Sequence, residues 1–61
     1  MHQYKIVKAK TLNENYKKGF AIIIYKDNEK IDISFYKNRK DTINASGALY
    51  LKYQNITQIY K

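Results

Sequence analysis

Few residues in this chain of 61 could carry out catalytic chemistry, because cysteine is absent and histidine occurs once, at His2. Without cysteine there is no thiol nucleophile, no thiolate metal ligand and no disulfide. Ser34 and Ser46 have no histidine base other than the distant His2. Asp27 and Glu29 lie close together, but a hairpin turn explains them better than acid–base catalysis. We therefore predict that the protein is not an enzyme and that it uses neither a cofactor nor a metal ion.

The residues that do form a pattern are basic. Twelve Lys and Arg outnumber five Asp and Glu, which gives a formal net charge of +7. The candidate contacts fall in three clusters: Lys5, Lys8 and Lys10; Lys17 and Lys18; and Lys37, Arg39 and Lys40. Such clusters attract phosphates, because each contact releases counterions from a nucleic acid. Arg39, the single guanidinium, is the best candidate for bidentate contact with phosphate or guanine, and an ion pair with Asp41 is the alternative.

Tyrosines accompany this charge. The predicted hairpin places Tyr25 and Tyr36 on its non-core face, with Lys30 beside them. Exposed rings stack on any base while ammonium groups follow the backbone, so these tyrosines predict binding of single-stranded nucleic acid. The alternative is that a barrel closes over this face and buries both rings. Tyr16 and Tyr50 could likewise be exposed for stacking or buried in the core.

Genome composition offers a second explanation for part of this pattern. Lys, Ile, Tyr and Asn make up 33 of the 61 residues, and all four are specified by A/T-rich codons. A low-GC genome would enrich them without functional selection. It would also supply Asp and Glu, which are scarce here. The positive charge therefore indicates an anionic partner more strongly than the tyrosine content does.

Residues 19–37 predict a β-hairpin. The segments 20–25 and 31–36 are rich in aromatic and β-branched residues, and Asp27-Asn28 between them tolerate positive φ. The expected register pairs residues on one apolar face as follows: Ile24 with Ile31, Ile22 with Ile33, and Phe20 with Phe35. Residues 3–10 predict another strand, and residues 11–18 a polar loop. In a meander, this loop and residues 37–40 reach the same end of the sheet, where their cations would form one basic rim.

Residues 44–61 allow two interpretations. In the first, Ser46 caps a helix. The apolar stripe of that helix would consist of Leu49, Tyr53, Ile56 and Tyr60. In the second, residues 49–53 alternate as a strand, a turn follows at Asn55, and residues 57–60 form a closing strand. The three tyrosines, Leu51 and the glycine at Gly47 favour the strand.

Five short strands with a long first loop resemble a Src-homology-3-like barrel or another small barrel. Residues 1–61 are therefore predicted to form a single, mainly β domain, a five-stranded antiparallel barrel or sheet. The alternative is an α+β fold, an antiparallel sheet with a C-terminal helix. A homodimer joined through an edge strand at residues 4–10 would stabilise so small a domain, although the lysines there oppose it.

The function predicted from these features is a non-catalytic module that binds DNA or RNA through lysine-rich loops and a tyrosine-bearing sheet face. The alternative is a small protein of a phage or mobile element that inhibits a host protein by binding its acidic surface. No apolar run is long enough to span a bilayer, and residues 1–10 lack the apolar core of a signal peptide. We therefore expect no membrane partner and a cytoplasmic location, in a bacterium or a phage-infected host.

Overall fold

The computed structural model describes residues 1–59, in which four strands form an open mixed sheet and one helix packs against it. The elements are β1 (His2–Lys8), a 3-10 turn (Ala9–Thr11), β2 (Phe20–Lys26), β3 (Glu29–Tyr36), α1 (Arg39–Lys52) and β4 (Thr57–Gln58). The strand order is β3-β2-β1-β4, with β4 parallel to β1 and the other pairs antiparallel. The five-stranded barrel is therefore not formed, and the sheet-plus-helix alternative fits. Tyr60 and Lys61 lie outside the described residues. The predicted apolar stripe and the predicted closing strand both end at Tyr60, so that part of each prediction lies outside them as well.

The predicted turn between β2 and β3 is confirmed. Asp27 and Asn28 both have positive φ, 53° and 70°, as a two-residue hairpin turn of type I′ requires. The pairs next to the turn also agree with the prediction: Lys26 with Glu29, and Tyr25 with Lys30.

Beyond these pairs a β-bulge at Ile31 makes the predicted register wrong by one residue. Ile31 has no partner on β2, so the ladder continues with Ile24 opposite Asp32, Ile22 opposite Ser34 and Phe20 opposite Tyr36. One extra residue moves every later side chain to the other face of the sheet. Phe35, predicted to be in the core, therefore lies on the face away from α1, which we call the open face.

The core lies between the sheet and α1. Its buried cluster consists of Tyr4, Ile22, Ile24 and Ile56, and the side chains of Ile6, Tyr36, Ala45, Leu49 and Tyr53 pack against it. β1 runs through the middle of the sheet, between β2 and β4. Among the described residues, β4 pairs with β1 at Gln3 and Tyr4 alone. The expected homodimer through residues 4–10 therefore stays a prediction.

The helix begins at Arg39, before the predicted cap at Ser46. Asn38 is the N-cap, and its Oδ1 accepts a hydrogen bond of 2.8 Å from the backbone N–H of Asp41. The favoured strand over residues 49–53 is therefore wrong. A turn does follow at Asn55, which has a φ of 62°, and the short strand β4 comes after it. No helix within residues 1–59 is long and apolar enough to cross a membrane.

Candidate nucleic-acid interface

The basic clusters meet at the end of the sheet where β1 and β3 finish and β2 begins. Lys8 is the last residue of β1, Lys18 lies just before β2, and Lys37 follows β3. We define the basic rim as Lys8, Lys10, Lys17, Lys18, Lys37, Arg39 and Lys40. The antiparallel connections of β1, β2 and β3 bring these three sequence segments together at one end of the sheet, as predicted for a meander. Lys5 is not part of the rim, because it lies further back on β1.

Three clefts open at this end of the sheet, and Phe20 lines each of them. One, of about 260 Å³, is bounded by Lys8, Lys10, Lys17, Lys18, Gly19 and Phe20. A second, of about 190 Å³, lies beside the open face and includes Tyr16, Phe35, Lys18 and Lys37. The third, of about 500 Å³, lies between α1 and the sheet. Cationic side chains therefore surround Phe20, which is accessible from all three clefts.

No carboxylate of the described residues forms an ion pair with the basic rim. Within residues 1–59, the one recorded ion pair joins the Met1 amino group to Asp27 at 3.3 Å, at the opposite end of the sheet. The predicted alternative of an Arg39–Asp41 ion pair is not found among those residues. Asp41 instead lies in the first turn of α1, where a negative charge favours the helix dipole. In the part of the chain that the structure describes, no aspartate or glutamate lines the three clefts.

The loop before β2 holds an aromatic side chain against the open face. The ring of Tyr16 lies 5.1 Å from the ring of Phe35, centroid to centroid, at an angle of 38°. The two residues are 43% and 48% exposed. Lys18 and Lys37 line the same cleft as these rings. This pair offers what a base and its phosphate need, an accessible aromatic surface with ammonium groups beside it.

Backbone hydrogen bonds position this loop. The N–H of Ala9 donates to the carbonyl of Gly19 at 3.1 Å and closes the base of the loop. The N–H of Tyr16 donates to the carbonyl of Asn13 at 2.9 Å, and the Asn13 side chain accepts from the N–H of Asn15. Ala9 itself is buried. The position of Tyr16 is thus set by local turns and by its contact with Phe35.

The predicted tyrosine pair does not share a face. Tyr36 packs against the core on the helix side, and Tyr25 is half-buried on the open face. The Nζ of Lys5 lies 5.6 Å from the centroid of the Tyr25 ring, in a cation–π arrangement. The bulge at Ile31 is the reason: it turns Tyr36 inward and turns Phe35 outward. The hydroxyl of Tyr50 lies away from the rim and hydrogen-bonds that of Tyr4.

The cationic side chains at this end of the sheet are suited to contact with an anion. Within residues 1–59, no group of three or more metal-ligating side chains is arranged to hold a metal ion. Comparisons with protein-family models, curated proteins and solved structures found no match for this chain. The basic rim and the Tyr16–Phe35 pair are therefore the basis for the function proposed below.

Proposed function

We propose that this protein is a non-catalytic module that binds single-stranded nucleic acid. The basic rim holds successive phosphates, and the Tyr16–Phe35 pair stacks on a base. The observation that supports this proposal is the juxtaposition in one cleft of two exposed rings with Lys18 and Lys37, in a rim that forms no ion pair with a carboxylate of the described residues.

Single strands fit this surface better than duplexes do. Tyr16 and Phe35 offer ring surface, which an unpaired base can meet with its own face and a base within a duplex cannot. On the open face, Tyr25 under Lys5 provides a second ring and cation for a neighbouring nucleotide.

A second candidate is the binding of a host protein through its acidic surface, as a small phage inhibitor would do. The observation that favours it is the exposed apolar surface of α1, where Ile43 and Tyr50 are each 52% exposed and Leu51 is 90% exposed. Exposed apolar side chains of this kind form the centre of protein interfaces. Capture from a nuclease-treated host lysate separates the two functions, because a stoichiometric protein partner that survives nuclease supports only the second.

The test of the first function is fluorescence anisotropy with a labelled oligonucleotide, single-stranded and as the matching duplex, between about 50 and 200 mM salt. We expect tighter binding of the single strand and a log–log salt slope of about −0.7 per phosphate contact. The double variant Lys18→Gln/Lys37→Gln should reduce this slope by about 1.4.

The matched control is Lys26→Gln/Lys52→Gln, which removes the same charge outside the basic rim. It should lower the affinity only slightly and leave the slope almost unchanged. Absence of binding at low salt would contradict the proposal, as would an equal effect of the two double variants.

A further inference from the structure

The cleft of about 500 Å³ between α1 and the sheet lies on the side of the sheet opposite the Tyr16–Phe35 pair. We call it the helix–sheet groove. Its lining consists of Ile6, Val7, Lys8, Phe20, Arg39, Thr42, Ile43, Ser46 and Gln58. The groove thus combines apolar side chains from both layers with two cations of the basic rim and one amide. Its volume is within the range of pockets that hold small ligands.

The groove exists because α1 turns small residues toward this part of the sheet. Thr42 and Ser46 are buried within the first eight residues of the helix, whereas Leu49 and the C-cap residue Tyr53 pack against the core at its C-terminal end. The layers are therefore filled at one end of α1 and leave a groove at the other, where larger side chains at positions 42 and 46 would have filled the space.

Both buried hydroxyl groups are satisfied within the helix. The Thr42 hydroxyl donates to the carbonyl of Asn38 at 2.7 Å, and the Ser46 hydroxyl donates to the carbonyl of Ile43 at 2.7 Å. They therefore need no hydrogen bond from an occupant. An apolar or aromatic ring can lie against this wall without leaving a buried polar group unpaired.

The polar groups of the lining match the other parts of a nucleotide. Arg39 and Lys8 are suited to a phosphate, since a guanidinium binds phosphate oxygens in bidentate fashion and an ammonium adds charge. The Oε1 of Gln58 accepts a hydrogen bond from the Tyr4 hydroxyl at 3.3 Å. This bond orients the amide, whose NH₂ group can donate to a ring nitrogen or carbonyl of a base.

We infer that the helix–sheet groove binds one nucleotide, with its base between Phe20 and Ile43 and its phosphate at Arg39 and Lys8. The inference rests on the proposed function for its choice of ligand, and it adds a second subsite to the stacking pair on the open face. Phe20 lies in the clefts on both sides, so a strand that passes over the basic rim can reach both subsites.

The test is NMR titration of the isotope-labelled protein with deoxynucleoside 5′-monophosphates, with the corresponding nucleosides and with inorganic phosphate. We expect the monophosphates to shift the methyl signals of Ile6 and Ile43 and the side-chain amide of Gln58, with saturation. Inorganic phosphate should shift only signals near Arg39 and Lys8. Identical shifts with monophosphate and inorganic phosphate, or unmoved methyl signals, would overturn the assignment.

Two variants and two matched controls on the same helix sharpen the test. Ile43 is 52% exposed, so Ile43→Ala should preserve the fold and weaken monophosphate binding about fivefold by removing an apolar wall. Arg39→Gln should weaken it about tenfold and abolish the advantage of the monophosphate over the nucleoside. The controls Leu51→Ala and Lys52→Gln lie outside the groove. They should change neither the affinity for the monophosphate nor its advantage over the nucleoside.

The outcomes also separate this inference from the proposed function. If the oligonucleotide binds and no monophosphate shifts the groove signals, the groove assignment fails and the strand-binding function stands. If the monophosphates bind in the groove and the oligonucleotide does not bind, the groove is a nucleotide site and the strand-binding function fails. If neither the oligonucleotide nor the monophosphates bind, both the strand-binding function and the groove assignment are refuted.

Discussion

The ring of Tyr16 lies against the ring of Phe35 with 5.1 Å between their centroids, and this contact ties the long loop to the outermost strand of the sheet. Tyr16 belongs to a loop that backbone hydrogen bonds also hold in place, and Phe35 belongs to an edge strand that is paired with β2. Because the two rings already contact each other, a base that stacks on them would meet a preformed aromatic surface. Less conformational entropy is then lost on binding.

The first prediction concerns this ring pair. Tyr16→Leu and Phe35→Leu should each weaken binding of a single strand by about 1–3 kcal/mol, the usual contribution of one stacked base. Anisotropy titrations measure the loss. Tyr50→Leu is the matched control, since Tyr50 is also an exposed aromatic residue but lies on α1 away from the rim. A loss as large in the control would argue against stacking at the pair.

The second prediction compares the two glycines. Gly19 has a φ of 100°, and a Cβ there would approach the Tyr36 carbonyl oxygen to 2.6 Å. Gly19→Ala should therefore lower the free energy of unfolding by about 2 kcal/mol. Gly47 lies within α1 with open space around its Cβ position, so Gly47→Ala should raise the free energy of unfolding by about 0.5–1 kcal/mol. Urea denaturation measures both, and effects of the same sign would contradict the assignment of Gly19.

The third prediction tests the bulge. Deletion of Ile31 should leave the ladder from Ile24–Asp32 onward intact, because Ile31 has no partner on β2. The nuclear Overhauser contact between Tyr16 and Phe35 should persist, with a stability change of about 1 kcal/mol or less. Deletion of Ile33 is the control. It moves Phe35 to the helix side and should abolish that contact.

If the Ile31 deletion itself removed the contact between the two rings, the bulge would not be the device that turns Phe35 outward. If the Ile33 deletion preserved that contact, the same conclusion would follow.

The fourth prediction concerns the hydroxyl group of Tyr4, which meets the hydroxyl of Tyr50 at 2.8 Å and the Oε1 of Gln58 at 3.3 Å. Tyr4→Phe should lower the free energy of unfolding by about 1 kcal/mol. Tyr50→Phe should cost about half as much, because Tyr4 keeps its bond to Gln58 and no buried polar group is left alone. Thermal or urea denaturation distinguishes them, and a larger loss for Tyr50→Phe would be inconsistent with this geometry.

Local patterns were sufficient for the strands of the hairpin, its turn at Asp27-Asn28 and the turn at Asn55, since each depends on residues that are adjacent in the sequence. They were also sufficient for the convergence of the cations at one end of the sheet, which follows from antiparallel connections. The bulge at Ile31 could not be predicted this way. Residues 31–36 alternate regularly, and the choice of face depends on what the sheet packs against.

The helix was the less favoured of the two interpretations, and its start was predicted too late, for a different reason. Its sheet-facing positions include Thr42 and Ser46, while Leu51 is 90% exposed and Ile43, beside the groove, is 52% exposed. The apolar spacing that identifies a helix is therefore weak. The usable signal was at its start. Asn38 followed three residues later by Asp41 is typical of a capped N-terminus.

The one-sided placement of the basic rim also makes the molecule electrically polar from end to end. At the other end of the sheet, Asp27 and Glu29 offset Lys26 and Lys30 on the hairpin tip. A permanent dipole of this kind exerts a torque on the protein as it diffuses toward a polyanion and turns the charged end forward before contact. The small domain would therefore arrive already oriented, and fewer of its collisions would be unproductive.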